Sequence, residues 1–544
     1  MILLLCRKCL YLLYYCKYLV FFIILIDTAS AGSQISIKPL MTINSEYTDN
    51  IFLSDNNKQN DIITTISPGI NLEAKTRNNN IEFLYELGYS HYKILSNNNS
   101  LRHNSVLSSN LGISRHTKLQ FNNTFKITED PGLESINNQD IPQDDVSQEY
   151  SVEKETGRHS LESYLTNSSV FNFSHQLNRT DFIEIQYSYD ILKNEDPEIR
   201  NREQHKPSFN LIYCPVPNRF ETKWHMTYML DDKSDAVNDP GYSEERINPL
   251  LDMKYWAIPR RLSLNAGMSY NKGVINYNTL NFDDNIYESL KSSLGMTYHF
   301  LPDQVRNLTI NTNGYYEKAI TYTGEGMSDT SDDFKTWYGL IKVNKKVNHR
   351  LDAFVQYGQT ITDFMGDGRN NDDYIVYEPS IGIKYILAQE IPLSLSAGYL
   401  VRDIDHKELE SAITINGKLG AWKFTRYGDI SFKASSGYEE DHLGAERLGF
   451  GIYYDAGFNI NYIFSRYISG KLAGFYKKNR YLDLEETRND KTKEIRCSLI
   501  FKPAKWFLMG IDYSFRDINS TLEQDSYKEN RIILKLKYSP YLKM

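Results

Sequence analysis

In this chain of 544 residues, 69 acidic side chains outnumber 61 basic ones, and the formal net charge of −8 leaves no electrostatic footprint for a nucleic acid. Mean hydropathy is −0.51. Past residue 27 no apolar run reaches the roughly 18 residues that a membrane-spanning helix needs, so a helical membrane protein is excluded. A β-barrel is not excluded, because its strands show lipid only every second side chain while lumen and loops stay polar. No linker or shift in composition divides the chain, which favours one large architecture over the several domains expected of a soluble protein this long. Tyrosine is abundant, 41 against 5 tryptophans, and suits a site with one apolar side and one wet end, such as a membrane interface.

Residues 1–31 read as a secretory signal. Arg7, Lys8 and Lys17 precede the apolar run 19–26 and the small residues Ala29-Ser30-Ala31, so cleavage is expected after Ala31. The alternative is an uncleaved anchor helix, since residues 10–26 are nearly all apolar, but Lys17 interrupts that run. Cys16 lacks the small neighbours of a lipidation site. Residues 32–544 then form a single domain. Of the five cysteines, Cys6, Cys9 and Cys16 lie in the leader. Cys214, at a turn, and Cys497, on an apolar face, are far apart in strand order, so no disulfide framework is expected.

From Ile35 the chain alternates: Ile35, Ile37, Pro39, Met41, Ile43, Ser45 and Tyr47 share one face, and Ser36, Lys38, Thr42, Asn44 and Glu46 the other. After a polar loop the pattern resumes at residues 62–72, and after Arg77-Asn78-Asn79-Asn80 at residues 81–89. It continues through Leu119 to Ile127, Ile183 to Tyr189, Phe209 to Tyr213 and Phe220 to Tyr228. Then come Leu262 to Tyr270, Leu294 to Phe300, Leu351 to Tyr357, Ile381 to Tyr385 and Leu393 to Tyr399. Phe450, Ile452, Tyr454, Phe458, Ile460 and Tyr462 make another apolar face, and Ile532, Leu534, Leu536 and Tyr538 close the series. Residues 104–114, 160–177 and 409–419 alternate poorly.

The fold class expected is all-β: one transmembrane antiparallel up-and-down barrel of about 24 strands, within a range of roughly 18 to 26. Short turns alternate with long polar loops, as periplasmic turns and extracellular loops do, and an even count puts both chain ends in the periplasm. Tyr213, Tyr255, Tyr270, Tyr385 and Tyr462 end apolar faces where an aromatic girdle belongs. A soluble sandwich or propeller also alternates, but keeps its strands shorter.

The short turns are basic, with Arg77, Arg115, Arg179, Arg219, Arg260, Arg261, Arg306, Lys345, Lys346, Arg350, Arg466 and Lys505. The long loops are acidic, above all residues 129–155 and the groups Asp231, Asp232, Asp235, Asp239 and Glu439, Glu440, Asp441. Such clustering concentrates counter-ions at a mouth, or it reflects solvated loops bridged to lipopolysaccharide by divalent cations. The side chains expected to line the lumen carry both signs: Glu82, Glu86, Glu184, Lys223, His225, Asp352, Gln356, Glu378, Lys384, Arg496, Asp512, Arg516, Arg531 and Lys535. A one-signed ring would predict ion selectivity; a mixed lining predicts a wide, weakly selective channel or charges that brace a plug.

No hydrolase, metalloprotease or P-loop spacing occurs, and the run of residues 367–373 has oxygen ligands without the spacing of a calcium loop. No enzyme activity, cofactor or metal is expected.

Glu46-Tyr47-Thr48-Asp49-Asn50-Ile51, Asp61-Ile62-Ile63-Thr64 and Ser67-Pro68-Gly69-Ile70 resemble the opening of a family of outer-membrane β-barrel porins found beside exopolysaccharide and PEP-CTERM/exosortase gene clusters in Gram-negative bacteria. Glu529-Asn530-Arg531 is similar to that family's closing strand. The resemblance implies an outer-membrane location, contact with lipopolysaccharide and the barrel-assembly machinery, and a part in polysaccharide or protein export beside export components. It supplies no catalytic residue. Barrel chains commonly end on an aromatic residue, whereas this one runs past Tyr538 to Met544, so the assembly signal is expected at residues 534–538 or Tyr541.

Two functions are consistent with the sequence. One is a porin-like channel for surface polysaccharide or polar solutes; the other is a structural or surface-display barrel whose acidic loops bind glycans or proteins.

Overall fold

The computed structural model describes residues 34–540 except 131–160, 237–240, 279–284, 301–306, 324–332, 366–371, 388–390, 405–406, 444–448, 484–486 and 522–525. The expected signal at 1–31 and most of the acidic 129–155 loop therefore lie outside the described residues.

Twenty-four strands follow one another. The first eight are β1 (Gln34–Thr48), β2 (Asp61–Lys75), β3 (Asn79–Tyr92), β4 (Ser100–Gly112), β5 (Thr117–Thr128), β6 (Tyr164–Gln176), β7 (Phe182–Asn194) and β8 (Arg202–Val216). Next come β9 (Phe220–Lys233), β10 (Tyr242–Ile258), β11 (Leu262–Tyr277), β12 (Asn285–His299), β13 (Leu308–Thr323), β14 (Asp333–Lys346), β15 (Leu351–Met365) and β16 (Tyr374–Ile386). The last eight are β17 (Pro392–Ile404), β18 (Glu410–Thr425), β19 (Gly428–Asp441), β20 (Gly449–Ser465), β21 (Ile468–Tyr481), β22 (Arg488–Ala504), β23 (Phe507–Ser520) and β24 (Tyr527–Tyr538). Each strand pairs antiparallel with its chain neighbours, and β24 pairs with β1 from Met41↔Tyr538 to Thr48↔Arg531, closing the barrel. Over these eight pairs the seam has no free sheet edge, as a strand in hydrocarbon requires; residues 34–40 of β1, at the short-turn end, pair with β2 alone.

The expected alternation sets the two faces. Leu294 (73% exposed), Ile381, Val355, Ile413 and Ile415 point outward with the other exposed apolar residues. The alternate positions point inward. The poorly alternating stretches still supply most of β4, β6 and the first part of β18.

Four details depart from expectation. Asp231 and Asp232 lie in β9, and Glu439, Glu440 and Asp441 in β19, so these acidic groups belong to strand ends and not to loops. Cys214 belongs to β8 and not to the turn; it and Cys497 are both free. Connection lengths do not alternate strictly, since residues 300–307 after β12 outnumber residues 405–409 after β17 at the other rim. Phe450 and Ile452, placed by sequence on an exposed apolar face, are buried at 0% and 5%, because the long-loop end of β20 folds into the barrel.

Candidate channel interior

All 14 residues expected in the lumen occupy strand positions that alternate with the exposed apolar ones, on the inner face. They are spread around the barrel; some bond side chains on other strands and some a residue two places along their own strand. Glu82 accepts from Asn71 Nδ2 (2.8 Å); Glu86 accepts from Thr42 Oγ1 (2.9 Å) and Asn104 Nδ2 (3.1 Å). Glu184 accepts from Asn172 Nδ2 (2.7 Å). Lys223 lies 3.3 Å from Glu221, and His225 hydrogen-bonds Thr227 (2.8 Å). Asp352 stands between Lys346 and Lys384 in register, Gln356 between Lys342 and Ser380, and Glu378 opposite Gly358. Asp512 faces Ser498, and Lys535 faces Gly510. Arg496 and Arg516 converge on Glu494. No one-signed ring forms among these residues.

Arg531 belongs to a different setting. At the long-loop rim, where β24 meets β1, its guanidinium is 1% exposed and pairs with Asp130 (2.8 Å), Glu46 (3.0 Å) and Glu529 (3.1 Å). Beside it Arg102 Nη2 pairs with Glu129 (2.8 Å), which also accepts from the Tyr92 hydroxyl (2.7 Å). A planar guanidinium with five donors can satisfy several carboxylates at once. The segment around the cluster is tied down as well. Asp49 accepts from the backbone N–H and Nδ2 of Asn530, each at 2.7 Å, and Asn50 Nδ2 donates to the Lys528 carbonyl (2.9 Å). Ile51 and Leu53, in the β1–β2 loop, are buried against Ile63, Tyr92, Ile518 and Tyr527.

A second inner cluster lies at the same rim, on β13 to β20. Phe334, Phe364, Tyr374, Val376, Leu400, Ile404, Phe450 and Ile452 are buried together. Arg402 is held between the rings of Tyr374 (4.3 Å) and Phe450 (4.2 Å) and pairs with Asp483 (2.8 Å). Gly449 begins β20 with φ +71°; a Cβ there would come within 2.7 Å of Asp483 Cβ, so the close approach needs a glycine. Tyr374 donates to Glu440 (2.8 Å) and lies 3.0 Å from His442 Nε2. Since its one proton goes to Glu440, the imidazole is the donor and carries its hydrogen on Nε2. His442 is just past the end of β19, and burial pushes its pKa down to about 4, so it is neutral at neutral pH.

Sequence reasoning missed both clusters. Glu46 and Glu529-Asn530-Arg531 stand out as motifs but at opposite ends of the chain, while Glu129, Asp130, His442 and Asp483 lie just past strand ends, and no local spacing says that they meet.

A closed antiparallel barrel with an apolar outside and a polar, charged inside is the architecture of outer-membrane barrel proteins. The chain belongs to the family described as "Putative beta-barrel porin 2", whose model matches residues 30–195 and 285–539. No curated protein matches it in sequence. Among solved structures it is similar to a variant of the ferric enterobactin receptor PfeA of Pseudomonas aeruginosa, with TM-score 0.53 and 6% identity over 94% of this chain and 81% of that one. Another PfeA variant, in complex with enterobactin, gives TM-score 0.51 at 6% identity over 94% and 82%. The iron transporter FrpB of Neisseria meningitidis gives 0.48 at 10% identity over 94% and 82%. At such identities the two PfeA likenesses speak for the fold alone.

Proposed function

We propose that this protein is a porin-like channel of the Gram-negative outer membrane that passes polar solutes, with surface polysaccharide as the cargo favoured. The observation that carries this reading is the inner face. Its charges of both signs, with hydroxyls and amides between them, suit a hydrated, weakly selective path better than an ion filter. An even strand number sets both ends of the barrel at the rim of the short turns, and the reading takes that rim as periplasmic and the long acidic loops as external. Lipopolysaccharide, the barrel-assembly machinery and export components are the partners this location offers, and the sequence resemblance is what points to polysaccharide.

The test is to fold the barrel into planar bilayers and record single channels, then measure entry of neutral oligosaccharides into liposomes. Discrete open steps and size-limited sugar flux are expected. Silence from correctly folded protein would sink the channel.

A second reading, a structural or display barrel, draws on the two clusters folded inward at the outer rim. It expects no conductance and loss of glycan or protein binding when residues 129–155 are trimmed.

A further inference from the structure

Away from the seam, the wall of the barrel parts between β18 and β19. The β18–β19 ladder runs from Thr425↔Gly428 to Gly417↔Ala434 and stops. Beyond it, residues 410–416 of β18 pair only with β17, and residues 435–441 of β19 only with β20. Ser436 marks the parting. Its Oγ accepts from the Ile415 N–H (2.6 Å) and donates to the Ile415 carbonyl (3.0 Å), while its own N–H donates to Asn416 Oδ1 (2.9 Å). The gap opens within the apolar belt, for Ile413 and Ile415 are about 60% exposed beside it (61% and 59%). An unpaired strand edge at that depth is costly, since the hydrocarbon offers its amides and carbonyls no partner.

What the wall loses there, the interior gains. The outer-rim half of the β19–β20 hairpin curls inside, where its free β19 edge and one face meet strands that are not its neighbours, while β20 stays paired with β21 as far as Gly451↔Tyr481 and swings with it. Tyr438 hydrogen-bonds Thr360 on β15 (2.6 Å), Glu440 accepts from Tyr374 on β16, and Phe450 stacks under Arg402 of β17. Leu443 touches this cluster and also the one formed by Tyr242, Ile275 and Tyr287, on β10 to β12.

The sequence of the hairpin fits a second position. Continuing the register beyond Gly417↔Ala434 would set Ile415 opposite Ser436, Ile413 opposite Tyr438 and Ala412 opposite Glu439. Tyr438 would then stand outward beside Ile413 and the exposed Tyr399, at the level of an aromatic girdle. Phe450, Ile452 and Tyr454 would join Phe458, Ile460 and Tyr462 on one lipid-facing row, and Glu439 would turn to the lumen.

We propose that the outer-rim half of the β19–β20 hairpin, residues 435–441 with 449–455, is a movable section of the wall: it closes the channel from within in the position seen here, and opens it by zipping in register onto residues 410–416 of β18. The proposal rests on the channel reading above, and its test separates the two.

Cys214 and Cys497 are first replaced by serine. In that background Ala412→Cys with Glu439→Cys reports the zipped position. In the position seen here the two cannot meet, because Ala412 packs against the inner cluster that Tyr438 also faces, so Glu439, the next residue along β19, points away from it. Lys418→Cys with Lys433→Cys, a pair in the existing ladder, is the control. Barrels in lipid are treated with copper phenanthroline and oxygen; two thiols become one disulfide, and the two protons and two electrons pass to oxygen.

Both pairs are expected to cross-link, the test pair several-fold faster when Tyr374→Phe and Arg402→Gln loosen the inner contacts. Conductance should be higher in the oxidised test pair than after reduction. A control that cross-links while the test pair does not, in either background, overturns the proposal. So does a cross-linked test pair whose channel conducts no differently when reduced. If every form is silent, the channel reading fails, and the cross-link by itself decides whether the hairpin moves.

Discussion

Arg531 and Glu46 meet at 3.0 Å across the seam between the last strand and the first. The pair explains why two short stretches at opposite ends of the chain are the distinctive ones. Glu46-Tyr47-Thr48-Asp49-Asn50 and Glu529-Asn530-Arg531 are two halves of one clasp: Thr48 donates to Glu529 (3.0 Å), Asp49 holds Asn530, and Arg531 holds Glu46.

Arg531→Met should therefore act as a closure defect. It leaves Glu46, Glu529 and Asp130 buried without their guanidinium, at a cost of about 3–5 kcal/mol. Urea unfolding of the refolded barrel, followed by the gel-mobility shift of folded protein, checks this. Arg531→Lys should fall between wild type and Met, because one ammonium cannot span three carboxylates. An unchanged midpoint for Arg531→Met would refute the clasp.

Asp49→Ala removes the acceptor of both Asn530 bonds, one of them from a backbone N–H. A loss of about 1–3 kcal/mol is expected, and hydrogen exchange should quicken at residues 527–531 while the β12–β13 ladder keeps its protection.

The two faces of the wall should respond oppositely to the same charge. Leu294→Arg places a cation on the exposed apolar face and should cost about 2–4 kcal/mol if that position lies near the bilayer midplane. Gln356→Arg, on the inner face beside Lys342, should leave the unfolding midpoint nearly unchanged and shift ion preference towards anions. Equal effects on stability would mean that the faces are wrongly assigned.

Acid should release the infolded hairpin. With His442 at about 4 in the fold against 6.5 when free, the unfolded or released state binds more protons between those values. The stabilisation is therefore complete above pH 6.5 and is lost as the pH falls towards 4, by about 3 kcal/mol in all. The groups around the imidazole are Glu440 at the end of β19, Tyr374 on β16, Arg402 on β17 and Asp483 after β21. Fluorescence of a probe at residue 443, read from pH 7.5 to 4.5, should report the release, and His442→Phe should flatten the profile. An identical profile in that variant would assign the acid response to the carboxylates.

The sequence by itself determined the barrel. Most strands announce their two faces through a period of two, a local property carried by neighbours such as Ile532, Leu534, Leu536 and Tyr538; where it weakens, in β4, β6 and the start of β18, the regular spacing of the other segments brought the strand count close. The inner-face positions of residues such as Glu86 and Glu184 follow from the same period. The tertiary structure decided what local pattern leaves open. Arg531 looks like any other inward residue until closure brings Glu46 to it from the far end of the chain. Phe450 and Tyr438 keep the alternation of a lipid-facing row, yet the hairpin carrying them lies inside, where burial against β13 to β17 replaces pairing with β18. Period two fixes which residues share a face, while the surface that face meets depends on strands far away in the chain.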